Sequence, residues 1–113
     1  MGQYLVYLIC SEFEGRKLYK IGYTRRPIEK RIKEIKTGNG SDIYLVESFS
    51  SKWGTKIEAQ LHKFFKSKKV NGEWFDLTDN EVKSFKERCK LSHDMLELIT
   101  TSNTYYLDTG RLF

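Results

Sequence analysis

Tyr4-Leu5-Val6-Tyr7-Leu8-Ile9-Cys10 is an unbroken run of apolar and β-favouring residues, and Leu18-Tyr19-Lys20-Ile21-Gly22-Tyr23 follows it after a polar stretch, Ser11 to Lys17, that contains Gly15. The first run is too short for a buried helix, so it reads as a strand covered on both faces. The second reads as the returning arm of a hairpin. The reading places Tyr7 opposite Lys20 and Ile9 opposite Leu18, with the turn near Phe13-Glu14. Cross-strand partners share a face, so Tyr7 and Lys20 are expected on the same side of the sheet.

Working outward, Pro27 suits the first turn of a helix, where its missing N–H costs nothing. Ile28, Ile32 and Ile35 recur at helical spacing with charged residues between them, and Gly38-Asn39-Gly40 is the expected stop. Ile43 to Phe49 reads as a half-buried strand. Ser50 or Ser51 is the expected cap of the next helix, whose apolar stripe is Trp53, Ile57, Leu61, Phe64 and Phe65. Lys68 to Gly72 interrupts that helix, and Glu73 to Leu77 is expected as a short extended segment closing the sheet, with Trp74 against the long helix. Thr78-Asp79-Asn80-Glu81 matches a capping box. It opens a helix of about residues 79–99, with Val82, Phe85, Cys89, Leu96 and Ile99 inward and Ser92-His93-Asp94 as a candidate break. The order β-β-α-β-α-β-α predicts a small α+β fold, with a central antiparallel sheet of three to four strands flanked by helices. One domain is expected over residues 1–100, with its motifs in 4–77, and a tail over 101–113.

The net charge is +5 and the sequence pI about 9.2, which suits an anionic partner. The charge is concentrated. Between Lys20 and Lys36, seven basic residues (Lys20, Arg25, Arg26, Lys30, Arg31, Lys33 and Lys36) face two acidic ones, Glu29 and Glu34. The apolar run near the N-terminus is too short for a signal core or a membrane span. With two cysteines, Cys10 and Cys89, a reduced, cytoplasmic protein away from the membrane is expected. Those cysteines with His62 and His93 match no zinc module. There is no glycine-rich phosphate loop opening a helix and no nucleophile-base motif of the serine or cysteine hydrolase kind.

Taken in order, Val6-Tyr7, the hairpin, Lys20-Ile21-Gly22, Thr24, Pro27, Arg31 and Glu58 resemble the motif series of the GIY-YIG nuclease superfamily. Glu58-x-x-x-His62 followed by Gly72-Glu73-Trp74-Phe75 is most similar to its phage DNA-binding branch, which is related to the meiotically up-regulated-gene type. The first motif lacks its glycine, reading Leu5-Val6-Tyr7. Lys20 stands where most members carry tyrosine, as it does in some branches that include restriction enzymes.

The resemblance implies an endonuclease that hydrolyses a DNA phosphodiester with one Mg²⁺ or Mn²⁺. Tyr7 would be the general base or orient the water, with Lys20, Arg31 and the metal lowering its pKa. Arg31 would clamp the phosphate with its planar fork of donors. Glu58 would hold the metal. His62 and Tyr23 would support the site, donating to the phosphate or orienting it. Arg25, Arg26, Lys30, Lys33 and Lys36 would grip the backbone of the DNA. A phage-encoded chain would act in its host's cytoplasm. Each residue also has a plainer reading: Tyr7 and Tyr23 as core aromatics, Arg31 as the i+3 partner of Glu34, and Glu58 with His62 as a surface pair. Two rival functions follow. One is a DNA-binding module without catalysis on the same scaffold. The other is a protein-interaction domain whose tail residues Tyr105, Tyr106, Leu107, Leu112 and Phe113 dock on the domain or on a second copy, giving a homodimer.

Overall fold

The computed structural model describes residues 3–37 and 42–102. The hairpin forms the centre of the sheet, with β1 at Tyr4–Phe13 and β2 at Arg16–Thr24. Its turn is Glu14-Gly15 alone, with φ of 51° and 78°. Two successive left-handed residues make a turn whose twist matches that of the strands, and glycine bears such a φ without strain. Because so little chain is spent on the turn, the polar residues on either side of it stay in the strands. Tyr7 therefore pairs with Gly22, and Ile9 with Lys20, not Tyr7 with Lys20 as the sequence reading had it. The slip is two residues, which preserves the alternation, so Tyr7 and Lys20 do share a face.

β3 (Asp42–Ser51) pairs with the other side of β1. Leu8 lies opposite Glu47 and Ile9 opposite Leu45, so Val46 is the extra residue of a bulge. Two short strands complete the sheet, β4 (Lys69–Asn71) and β5 (Trp74–Phe75), joined by a turn at Gly72-Glu73. The strand order is β3-β1-β2-β5-β4, antiparallel throughout. That is five strands where three to four were expected. β4 lies in the stretch read as an interruption, because a three-residue strand is too short to show a period.

Helix α1 (Ile28–Thr37) covers one face of the sheet. There Tyr7, Ile9 and Ile43 pack with Ile28, Ile32, Ile35 and Trp74. On the other face Val6, Leu8, Cys10, Tyr19 and Ile21 pack with Ile57, Leu61 and Phe65 around α2 (Gly54–Phe64), and with Phe85 and Cys89. The two-sided cover explains why β1 is apolar without a break. Trp74 thus packs on the α1 face, not against the long helix; its neighbour Phe75, pointing the other way, joins the α2 core.

Several other boundaries differ from expectation. α2 starts at Gly54, and its N-cap, Trp53, makes no side-chain capping bond. Ser51 instead accepts from the Trp53 N–H at 2.9 Å. Phe64 is exposed, with the Arg88 guanidinium 3.6 Å from its ring centre. The capping box forms at Thr78 and Glu81 and opens α3 (Asp79–Lys83). The helix then breaks at Ser84, whose Oγ donates to the Glu81 carbonyl at 2.8 Å. α4 (Phe85–Ser102) runs unbroken through Ser92-His93-Asp94, and Ile99 is exposed on it. Among the described residues no helix is long and apolar enough to cross a membrane. Gly38-Asn39-Gly40 and the tail beyond Ser102, with the docking or homodimer contact expected of it, lie outside the described residues.

Candidate active site

β5 pairs with β2 only at Tyr19 and Lys20, so among the described residues the β2 edge from Ile21 to Thr24 is left open. A cavity of about 300 Å³ lies there, lined by Tyr7, Gly22, Tyr23, Thr24, Arg26, Arg31, Glu58 and Glu73. Five elements meet in it: β1, β2, α1, α2 and the β4–β5 turn, with Arg26 in the lead-in to α1.

Tyr7 extends from the central strand across Gly22. A Cβ added at Gly22 would lie 2.5 Å from the Tyr7 hydroxyl oxygen and 2.7 Å from its ring carbon, so only glycine lets the ring pass. Arg31, one turn into α1, donates from Nε to the Tyr7 hydroxyl at 3.0 Å. Its other arm reaches Glu34 Oε1 at 3.3 Å, and Arg26 binds the same oxygen at 2.8 Å. The expected i+3 pair therefore forms together with the Tyr7 contact, not instead of it. Thr24 accepts from the Arg26 N–H at 3.0 Å and fixes the lead-in to α1. Burial pushes the Tyr7 phenol above its ordinary pKa of 10; the Arg31 hydrogen bond opposes this, and the charges of Glu73 and Glu58 add to it. Among the protein's own groups desolvation therefore outweighs the Arg31 cation on the hydroxyl.

Glu58 and His62 share a face of α2, with Glu58 Oε2 at 3.1 Å from His62 Nε2. The same Nε2 lies 2.8 Å from the Ile21 carbonyl oxygen. A carbonyl only accepts, so Nε2 carries the proton and divides it between the open strand edge and Glu58. His62 also meets the Phe75 ring edge-on at 4.9 Å. Its N–H is thus directed into the protein, not toward a phosphate as the sequence reading allowed. Burial raises the Glu58 pKa; His62 opposes the shift, Glu73 adds to it and Lys20 opposes it.

Lys20 is not among the cavity-lining residues. Its Nζ lies 2.6 Å from Glu73 Oε1 and 5.7 Å from the centre of the Trp74 ring. Glu73 does line the cavity, so Lys20 reaches the site through a carboxylate. Tyr23 lines the cavity, half exposed, and meets Tyr4 edge-on at 5.6 Å. Arg25 lies over the Tyr4 ring at 5.2 Å. Arg25, Arg26, Lys30, Lys33 and Lys36 are all exposed, forming a basic surface that runs from the cavity along α1.

The sequence reading missed Glu73, Thr24 and Glu34 as members of the site. Glu73 lies inside the quoted Gly72-Glu73-Trp74-Phe75 segment, and its position beside a turn glycine was the one available signal. Among the described residues no three of His, Cys, Asp and Glu gather as a metal cage.

A family model described as the T5orf172 domain matches residues 4–90. No match is found among curated proteins or among solved structures. The matched span holds the whole hairpin, the cavity, α2 and the start of α4. This domain is found in phage and nuclease-like proteins and points to a nuclease-like or DNA-binding function. The chain belongs to the T5orf172 domain family.

Proposed function

We propose that the chain is a DNA endonuclease of GIY-YIG type that hydrolyses a phosphodiester with one Mg²⁺ or Mn²⁺. The observation that carries the reading is the Arg31 guanidinium, held at 3.0 Å on the Tyr7 hydroxyl in the same polar cavity as a half-buried carboxylate, Glu58. Arg31 presents a planar cation to a phosphate. Tyr7, accepting from Arg31, keeps its own O–H to donate to the phosphate or to orient the water. Tyr23 borders the same space.

Glu58 fits a hard divalent cation. It offers oxygen donors, and its raised pKa marks a carboxylate that a cation would stabilise. Mg²⁺ commonly takes one or two protein carboxylates and fills its remaining positions with water and phosphate oxygens, so no larger cage is required. When bound, the metal would neutralise charge on the leaving oxygen. His62 holds Glu58 in place from behind. The basic surface of Arg25, Arg26, Lys30, Lys33 and Lys36 grips DNA by its phosphates, without reading sequence. The site of action we infer is the cytoplasm of a host cell.

A second reading is a DNA-binding module without chemistry. It is favoured by Tyr7 being fully buried beneath Arg31 and by Lys20 being held by Glu73. Plasmid nicking by the wild type and Glu58→Ala, in Mg²⁺, Mn²⁺ or EDTA, separates the two. Metal-dependent nicking that is lost in the variant supports the nuclease. Salt-sensitive DNA binding without nicking in any metal supports the second reading.

A further inference from the structure

Two phenols, Tyr7 and Tyr23, and two carboxylates, Glu58 and Glu73, line the cavity, and their access differs. Tyr7 is 0% exposed. The Glu58 side chain is 17% exposed and tied to His62, whereas that of Glu73 is 46% exposed. Glu73 is also aimed. Lys20, itself 13% exposed and lying over Trp74, holds Oε1 at 2.6 Å, and Oε2 has no hydrogen bond among the described residues. We propose that Glu73 is the base that takes the proton of the attacking water, and that Lys20 is the positioning residue that aims it. The proposal rests on the nuclease reading above and names the group that activates its water.

In the step, the water oxygen forms a bond to phosphorus and its proton passes to Glu73, then to solvent. The P–O3′ bond breaks, its electron pair stays on O3′, and O3′ takes a proton from solvent. The charged and titratable groups around Glu73 are Lys20 and Tyr23 from β2, Tyr7 from β1, Glu58 from α2, Arg31 from α1 and Arg26 from its lead-in. Lys20 holds Oε1, so Oε2 is the oxygen left to take the proton. Tyr7, fully buried and accepting from Arg31 Nε at 3.0 Å, serves as a donor.

The test measures nicking by the wild type, Glu73→Gln, Lys20→Met and Lys20→Arg, with DNA affinity and melting temperature alongside. Loss of a general base lowers rates by about 10²–10⁴-fold. Glu73→Gln should show that loss while binding DNA and melting as the wild type does. Lys20→Arg should retain more activity than Lys20→Met. The wild-type rate should be level from about pH 7 to 9, since a carboxylate base is already ionised there. A rate that climbs about tenfold per pH unit over that range, as a phenol base would give, overturns the proposal. Full activity in Glu73→Gln also overturns it. Should Glu73→Gln fail to fold, the pH profile and the Lys20 pair decide. A wild type that nicks under no condition removes the nuclease reading itself, and this assignment with it.

Discussion

Arg31 Nε donates to the Tyr7 hydroxyl at 3.0 Å across 24 residues of chain, joining the first helix to the central strand. The bond fixes the guanidinium at the cavity wall before any substrate arrives. Part of the entropy of ordering a long side chain is therefore lost on folding, not on binding. Arg31→Lys should not substitute, because a point charge cannot hold Tyr7 and a phosphate together. Nicking rates should fall at least about 10²-fold in Arg31→Lys and Arg31→Ala, as for loss of a preorganised donor to developing charge. Circular dichroism should show the fold retained.

Gly22→Ala tests the packing of Tyr7. Its new Cβ would sit 2.5 Å from the hydroxyl oxygen, so either ring or strand must shift. Overpacking of this kind costs about 1–3 kcal/mol. Urea titration should show the loss, and adding Tyr7→Phe should recover part of it, giving a non-additive cycle. Additive losses would mean that the two side chains do not press on one another.

Glu58 should act against stability at neutral pH. Its folded pKa is raised by burial above the ordinary 4.5. The folded state therefore holds the proton more tightly than the unfolded chain does. The associated stability is full below the ordinary value and is lost as pH rises through the folded one. Glu58→Gln should remove this slope and melt higher than the wild type at pH 7, followed by differential scanning fluorimetry. Mg²⁺ should raise the wild-type melting temperature and leave the variant unmoved.

Lys30, Lys33 and Lys36 lie exposed on α1. Each, changed to Gln, should weaken DNA binding and reduce the slope of log K against log salt by up to about 0.9. The maximal nicking rate should be unchanged, because none of them lines the cavity. An unchanged slope in the triple variant would move the DNA to another face.

The sequence disclosed the site where its period matched local geometry. Pairing the β-rich runs Tyr4–Cys10 and Leu18–Tyr23 as a hairpin set Tyr7 and Lys20 on one face, and i,i+4 spacing joined Glu58 to His62. It was silent where a partner was remote. Lys20 is 53 residues from the Glu73 that holds it, and no local pattern reports such a pair. The hairpin register depended on a two-residue turn, and neither Glu14 nor its polar neighbours mark the strand ends. The helix break fell at Ser84 because that hydroxyl bonds its own backbone, a choice that competes closely with continued helix. The burial of the Tyr7 hydroxyl, which opposes the Arg31 cation, likewise has no local signature in the sequence.

The bond from His62 to the Ile21 carbonyl has a meaning beyond the chemistry. Among the described residues the β2 edge from Ile21 to Thr24 is free of strand pairing, with a cavity beside it, and an unpaired edge is a template on which another chain can add a strand. His62 occupies the carbonyl that an incoming strand would need, and Arg25 and Arg26 place charge close by. His62→Leu should accordingly associate with itself on concentration, seen by light scattering, while the wild type stays dispersed. The histidine is then a guard as much as a support: the opening beside the cavity stays closed to the protein's own copies.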